Sequence, residues 1–405
     1  MIKIDGGVCA AKGYKASGVH CGIRKNKLKR DLSLIVSDKK ATAAAVYTTN
    51  LVKGAPLKVT KSNIADGFAQ AIICNSGNAN TCNANGIEIA EQMCALVEKY
   101  TDIKAEDVIV ASTGVIGQPL DITPIADGMP SLTESLSEDG GSLAAEGIMT
   151  TDTIAKEIAF EFVLDGKKCR IGGIAKGSGM IHPNMATMLV FVTSDVCISK
   201  EALQYAVSED VKDSFNMVSV DGDTSTNDMC CVMANGMAEN KMIDDINSAE
   251  FKEFKKALFA VTSYLCKMIA KDGEGASKLL TVKVDGADSI ATAKMVAKSV
   301  ACSSLLKAAM FGADANWGRV LCAIGYSGAE LDVDKIDVSF ASGMGEIAVC
   351  KNGAGVDFSE EIAKKILLES EIDININLNA GESSATAWGC DLTYDYVKIN
   401  GDYRT

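Results

Sequence analysis

The chemistry-bearing residues of this chain crowd into one stretch, Gly172-Gly173-Ile174-Ala175-Lys176-Gly177-Ser178-Gly179-Met180-Ile181-His182-Pro183-Asn184-Met185-Ala186-Thr187-Met188-Leu189. Four glycines and a proline precede an apolar run, so the backbone here can approach a ligand closely. The Gly-Lys-Ser/Thr order of a phosphate-binding Walker loop is missing. Ser178 and His182 suggest a serine hydrolase, but no Gly-x-Ser-x-Gly elbow carries the serine. His182 by itself reads as a loop residue that hydrogen-bonds locally. Thr187 alone reads as a β-branched residue opening a strand.

The rest of the chain narrows the classes. It has 405 residues, enough for two or three lobes, and a net charge of -13. That balance leaves no basic surplus to replace the counterions of a nucleic acid, yet one or two local cations suffice for a small anion. No apolar run reaches the roughly 18 residues of a membrane span. The start, Met1-Ile2-Lys3-Ile4-Asp5, does not read as a signal peptide. A cytoplasmic protein is expected. Its 14 cysteines contain no Cys-x-x-Cys, and His20 and His182 lie far apart. Reduced thiols and no metal site are expected.

Several elements must position these groups. Leu32 to Val36, Ala71 to Cys74, Val108 to Ala111 and Met188 to Val192 read as strands. Ile87 to Glu98 and Asn247 to Lys271 read as helices, the latter with Phe251, Phe254, Leu258, Val261, Leu265 and Ile269 on one stripe. Ser112-Thr113-Gly114 is expected to turn out of its strand. Ser131 to Gly147 reads as irregular and passing over the surface, and Asp272 to Ala276 as a glycine-rich turn. A new strand series starts at Leu279 to Val284, so a C-terminal lobe is expected from about residue 280. The alternation predicts a layered α/β protein.

An ordered set of words runs along the chain. It comprises Asn75-Ser-Gly-Asn-Ala-Asn80, Ser112-Thr-Gly-Val-Ile-Gly117, Met149-Thr-Thr-Asp-Thr153, Lys176-Gly-Ser-Gly-Met180 and Met185-Ala-Thr-Met-Leu189. It continues with Ser219-Val-Asp-Gly-Asp-Thr224, Gly273-Glu-Gly-Ala276, Gly312-Ala-Asp-Ala-Asn-Trp-Gly-Arg319, Ala385 to Asn400 and Tyr403-Arg-Thr405. In this order they resemble the ornithine acetyltransferase family, also called glutamate N-acetyltransferase, over essentially the whole chain.

The resemblance implies a layered α/β sandwich of the self-cleaving, N-terminal-nucleophile-like acetyltransferase and aminopeptidase type, with a second C-terminal α/β lobe. It implies self-cleavage between Ala186 and Thr187, giving an α chain, 1–186, and a β chain, 187–405, held as a heterotetramer of two each. Thr187 would be the nucleophile that carries acetyl from acetylornithine to glutamate in arginine biosynthesis. Its freed α-amine, with a reference pKa of about 7.7–8, would be the base, so no histidine is needed. Thr113 and Gly114 would form the oxyanion hole, worth roughly 3–4 kcal/mol per donor. Thr150, Lys176, Thr187, Glu274, Asn400 and Thr405 would bind substrate, Lys176 meeting a carboxylate, Glu274 and the terminal carboxylate of Thr405 meeting ammonium groups. Thr151 is the neighbour that could replace Thr150. No cofactor is expected, with acetyl-CoA a possible second donor.

The chain departs from the family pattern in four places. Cys9-Ala10-Ala11-Lys12-Gly13 lacks a usual proline, and Thr81-Cys82-Asn83-Ala84 replaces Ala-Cys-Thr-Gly. Ser277 stands for a common threonine and Gly401 for a common alanine. None removes a proposed catalytic group. Two other readings remain at this level: a self-cleaving aminopeptidase or amidase, and a non-catalytic binding protein of the same architecture.

Overall fold

The structure, a computed structural model, describes residues 1–182 and 188–401. They divide into two units. The first takes in 1–177, 188–215 and 224–265, and the second 178–182, 216–223 and 266–401.

Among the described residues, ten strands precede residue 235: β1 (Ile2–Ile4), β2 (Tyr14–Val19), β3 (Leu32–Tyr47), β4 (Phe68–Asn78), β5 (Val108–Val115), β6 (Lys156–Leu164), β7 (Lys167–Lys176), β8 (Leu189–Ser194), β9 (Val218–Ser219) and β10 (Met229–Ala234). All but β9 build the sheet of the first unit, in the order β1-β6-β7-β8-β10-β3-β4-β5 with β2 beside β3. β4 and β5 run parallel, as do β8 and β10, while β3 with β4 and β7 with β8 are antiparallel.

Alternation along these strands fills two cores. Leu32, Leu34, Ala71, Ile73, Val108 and Val110 face one side, and Ile35, Ile72, Cys74, Ile109 and Ala111 face the other. Both faces are buried, which is why the strands read as unbroken apolar runs. Helices α1 (Ala55–Asn63), α2 (Gly86–Thr101) and α3 (Thr123–Glu134) supply the first side with Val59, Ile89, Met93, Val97, Ile125 and Met129. Helix α4 (Gly141–Ile148) supplies the second with Ala144, Ala145 and Ile148. Helices α5 (Lys200–Asp213) and α6 (Ala249–Lys271) follow, and α6 buries the expected apolar stripe.

Helix α4 overturns the expectation of an irregular surface segment over Ser131 to Gly147. Its small residues are packing residues: a Cβ on Gly147 would fall 2.1 Å from Ser33 Oγ, and a Cβ on Gly18 2.0 Å from the Leu143 carbonyl oxygen. The glycines let helix and strands touch backbone to backbone.

The second unit holds a seven-stranded sheet of order β14-β13-β12-β15-β11-β16-β9. Its further strands are β11 (Leu279–Ala287), β12 (Asp337–Ser342), β13 (Gly345–Lys351), β14 (Ala354–Gly355), β15 (Glu371–Asn377) and β16 (Ser383–Cys390). Helix α7 (Ile290–Cys302) buries Ala293, Val296, Ala297 and Val300, and α8 (Ser304–Phe311), α9 (Trp317–Gly325), α10 (Glu360–Leu367) and α11 (Tyr394–Asn400) complete the unit. The layered α/β class expected from the sequence is the class observed. Among the described residues, no helix is long and apolar enough to cross a membrane.

Candidate active site

In the first unit, the ends of β4 and β5 build a backbone device. Asn75 pairs with Ser112, Ser76 with Thr113 and Gly77 with Gly114, and the register then shifts at Asn78. Gly114 has φ +131 and Gly77 φ +117, conformations that L side chains rarely adopt. Thr113 and Gly114 therefore lie inside a distorted strand end, not in a turn leaving it, which corrects the sequence expectation. β5 runs on because a buried amide ties its end down. Asn227 Nδ2 donates to the carbonyls of Ser112 (2.9 Å) and Ala79 (2.6 Å). Its Oδ1 accepts from the hydroxyls of Thr81 (2.5 Å) and Thr226 (2.6 Å).

Thr150 and Lys176 meet around Asp152. The Asp152 carboxylate accepts from the Thr150 amide (2.9 Å), the Gly177 amide (2.7 Å) and Lys156 Nζ (2.7 Å). Both side chains of the Asp152–Lys156 pair are fully buried. Burial alone would push the Asp152 carboxyl up, but Lys156, Lys176 and the Gly177 amide together hold it below the usual carboxylate range. Lys176 ends β7, opposite Leu189 at the start of β8. Burial pulls its ammonium below the usual lysine value, and Asp152 only partly opposes this. Asp228, just before β10, is buried, with an Oδ2 that has no hydrogen-bond partner among the described residues. Desolvation pushes its carboxyl well up, while Ser225, Lys176 and Thr48 pull the other way.

In the second unit, Glu274 and Asn400 come together. Glu274 is buried, its amide donates to the Ser178 carbonyl (2.9 Å), and its Oε2 accepts from Asn400 Nδ2 (2.7 Å). Gly179 makes room for this carboxylate: a Cβ there would fall 2.3 Å from Glu274 Cδ. Helix α11, which carries Asn400, is anchored because Thr393 Oγ1 donates to the Gly275 carbonyl (2.6 Å) and caps Tyr396. Ser277, the departure from threonine, keeps its hydroxyl on Asp391. Asp221 accepts the amides of Met180 (2.6 Å) and Ile181 (2.9 Å).

His182 meets residues distant in the sequence. Its Nδ1 lies 3.2 Å from Ser219 Oγ and 3.4 Å from Cys302 Sγ. Burial pulls the imidazole below its ordinary pKa, with Lys298 adding to the effect. Ser178 Oγ is buried without a partner among the described residues, so it makes no pair with His182. Ala186, Thr187 and Thr405 lie outside the described residues. No group of three or more metal-ligating side chains occurs among the described residues.

A family model described as the ArgJ family matches residues 15–405. This chain belongs to the ArgJ family. Among its relatives, the arginine biosynthesis bifunctional protein ArgJ of Caldanaerobacter subterraneus subsp. tengcongensis is 51% identical over 406 residues, covering 100% of each chain. The ArgJ 1 protein of Clostridium acetobutylicum is 52% identical over 393 residues, covering 97% of this chain and 96% of its own. A crystal structure of the ArgJ protein of Bacillus halodurans is 48% identical, with a TM-score of 0.50, covering 52% of this chain and 97% of that one.

Three residues that hold these clusters of the ArgJ chain together were not singled out from the sequence: Asn227, Asp152 and Asp228. Asp152 stands inside one of the quoted words, but its partner Lys156, four residues on, lies beyond that word. Nothing local marks Asn227, whose partners Thr81, Ala79 and Ser112 lie 146, 148 and 115 residues away.

Proposed function

We propose that this chain transfers the acetyl group of N2-acetyl-L-ornithine to L-glutamate through an ester on Thr187. The observation that carries this reading is the family match over residues 15–405, which makes the chain an acetyl-transferring enzyme of arginine biosynthesis. Three features support it: a strand end next to Thr113 that only glycine fits at Gly77 and Gly114, a buried Lys176 that shares Asp152 with Thr150, and a buried Glu274 held by Asn400.

In the maturation step, the Thr187 hydroxyl attacks the Ala186 carbonyl carbon. An oxygen–carbon bond forms, the peptide C–N bond breaks, and the nitrogen takes the hydroxyl's proton. Water then hydrolyses the ester and leaves a free α-amine on Thr187. That amine, near pKa 7.7–8 in its reference state, takes the Oγ proton when Oγ attacks the acetyl carbonyl. The amide C–N bond breaks, ornithine leaves with the proton, and an acetyl ester remains. The amine of glutamate attacks this ester, acetylglutamate leaves, and Oγ regains its proton. Each tetrahedral intermediate places negative charge on oxygen, where the amides of Thr113 and Gly114 would donate. Lys176 would meet the substrate carboxylate, Thr150 would hydrogen-bond it, and Glu274, Asn400 and the Thr405 carboxylate would take the ornithine ammonium.

Length supports the cut. The matched Bacillus halodurans chain is about half as long as this one, since 52% of this chain covers 97% of it. A break at 186/187 leaves pieces of about that size. We further infer a cytoplasmic heterotetramer of two α and two β chains, without a cofactor, and acetyl-CoA as an additional donor to glutamate. Both curated relatives above are described as bifunctional. Thr187→Ala tests the core of the reading: one uncut chain near 42.5 kDa and no acetyl transfer are expected. Two fragments from that variant, or acetate release without acetylglutamate from the unaltered enzyme, would overturn it.

A further inference from the structure

The segment from Ser178 to His182 precedes the proposed cut, and the second unit holds it by its backbone. Met180 has φ +57, a left-handed conformation that a methionine rarely adopts. Its amide donates to Asp221 Oδ2 (2.6 Å), and the Ile181 amide donates to Oδ1 (2.9 Å). Two successive N–H groups thus form a small cradle for one carboxylate. The Val220 amide donates to the Ile181 carbonyl (2.7 Å), and Ser219 Oγ meets His182 Nδ1. Residues 219–221 therefore grip residues 180–182.

Asp221 is itself fixed. The Asp223 amide donates to its Oδ1 (3.2 Å), closing a turn over Gly222, whose φ is +86. Val220 is buried, and Ser219, the end of β9, pairs with Gly389 of β16. A carboxylate that binds main-chain amides sets the direction of the backbone that carries them. The start of the segment is tied separately, by the Glu274 amide on the Ser178 carbonyl (2.9 Å). That bond acts two residues upstream and does not set φ at Met180. Asp221 does, because the left-handed turn at Met180 points both amides at one side chain.

We propose that Asp221 is a positioning residue for self-cleavage between Ala186 and Thr187. The inference rests on the cleavage reading above and adds the group that aims the chain toward the bond. In that step the Thr187 hydroxyl attacks the Ala186 carbonyl carbon. The Oγ–C bond forms, the C–N bond breaks and the hydroxyl proton passes to the nitrogen. Water then hydrolyses the ester. The attack needs hydroxyl and carbonyl in one narrow geometry, and a misplacement of about 1 Å costs about a hundredfold. Four residues, 183–186, separate His182 from Thr187, so little chain is available to absorb a change of direction at Met180. Without Asp221, Met180 returns to the negative φ that its side chain favours.

The test follows the cutting of the full-length chain over time, after cell-free synthesis, on a denaturing gel. Asp221→Ala is expected to slow cleavage at least about tenfold. Adding Met180→Gly to that variant should recover the rate severalfold, because glycine holds a positive φ without help. The control is Ile366→Val, which trims a buried residue of α10. That helix packs on β12 and β13, at the other end of the second sheet from β9. The control loses stability, but its cleavage rate should stay within about twofold of the unaltered chain. An unaltered rate in Asp221→Ala, an equal slowing in Ile366→Val, or no recovery with Met180→Gly would each overturn the proposal. Where Asp221→Ala does not fold, Asp221→Asn, which keeps a single acceptor oxygen, decides by the same comparison. An unaltered chain that stays whole refutes the cleavage reading itself, a result distinct from any of these.

Discussion

A side chain on Gly114 would place its Cβ 2.3 Å from the carbonyl carbon of Gly77 and 2.6 Å from the Asn78 nitrogen. Backbone on one strand thus forbids a methyl group on the next, at the position where an oxyanion hole is proposed. Gly114→Ala must open the strand end and re-aim the amides of Thr113 and Gly114. A lost oxyanion donor costs about 10²–10³ in kcat. That loss is expected for acetyl transfer by the purified variant, with donor KM changed far less. Steady-state kinetics with a thermal melt as the folding control checks it. A folded variant that keeps more than about a tenth of its kcat would remove the oxyanion role from this pair.

Asn227 is the residue that ties the same strand end to the segment before β10. Its side chain satisfies two carbonyls and two hydroxyls in a buried place. Truncation leaves those groups short of partners, at roughly 1–3 kcal/mol for each buried one left unpaired. Asn227→Ala is expected to lose about 3 kcal/mol of unfolding free energy and to lower kcat, because Ser112 directly precedes Thr113. Asn227→Asp should do no better, since a carboxylate cannot donate to the Ala79 and Ser112 carbonyls. Urea unfolding of both variants measures the first effect. A midpoint unchanged in both would show that the clamp contributes nothing.

Asn227 also shows what a single sequence exposes and what it hides. The strands through Leu34, Ile73 and Val110 were legible because a sheet buried on both faces demands uninterrupted apolar runs. Helix α6 was legible from its 3.6-residue stripe. Helix α4 was not, because its helix-to-strand contact is made by Gly147 and Ala144, residue types that also fill loops. Thr113 and Gly114 were found through a family word, but their strand conformation depends on Gly77 and Asn227, distant in sequence. Lys176 was legible as a cation. Its burial beside Asp152 follows from the β6–β7 pairing, in which Lys156 stands opposite Ala175, and no local pattern expresses that. Clustering of this kind is set by topology, so the words locate the pieces while the sheet order brings them together.

Asp210 on α5 gives a pH dependence whose sign is fixed by its surroundings. It is buried, and its Oδ2 accepts from Ser214 Oγ (3.0 Å). Burial pushes its carboxyl up to about 7, and Asp213 adds to the rise, while Thr262, Ser214 and Lys255 pull the other way. In the unfolded chain an aspartate titrates near 3.9. The folded state therefore prefers the protonated acid. The stability this contributes is fully present below about pH 4 and is lost as the pH rises through about 7, because the native protein must then hold a buried carboxylate. Between pH 5 and 8 the loss is of the order of 2–4 kcal/mol. Asp210→Asn cannot ionise, so its unfolding free energy should vary less across that interval and exceed that of the unaltered chain at pH 8. Urea midpoints at pH 5, 6, 7 and 8 measure the two slopes. Parallel slopes would mean that Asp210 ionises alike in the folded and unfolded chains, and that its burial between Ser214 and Thr262 does not govern its charge.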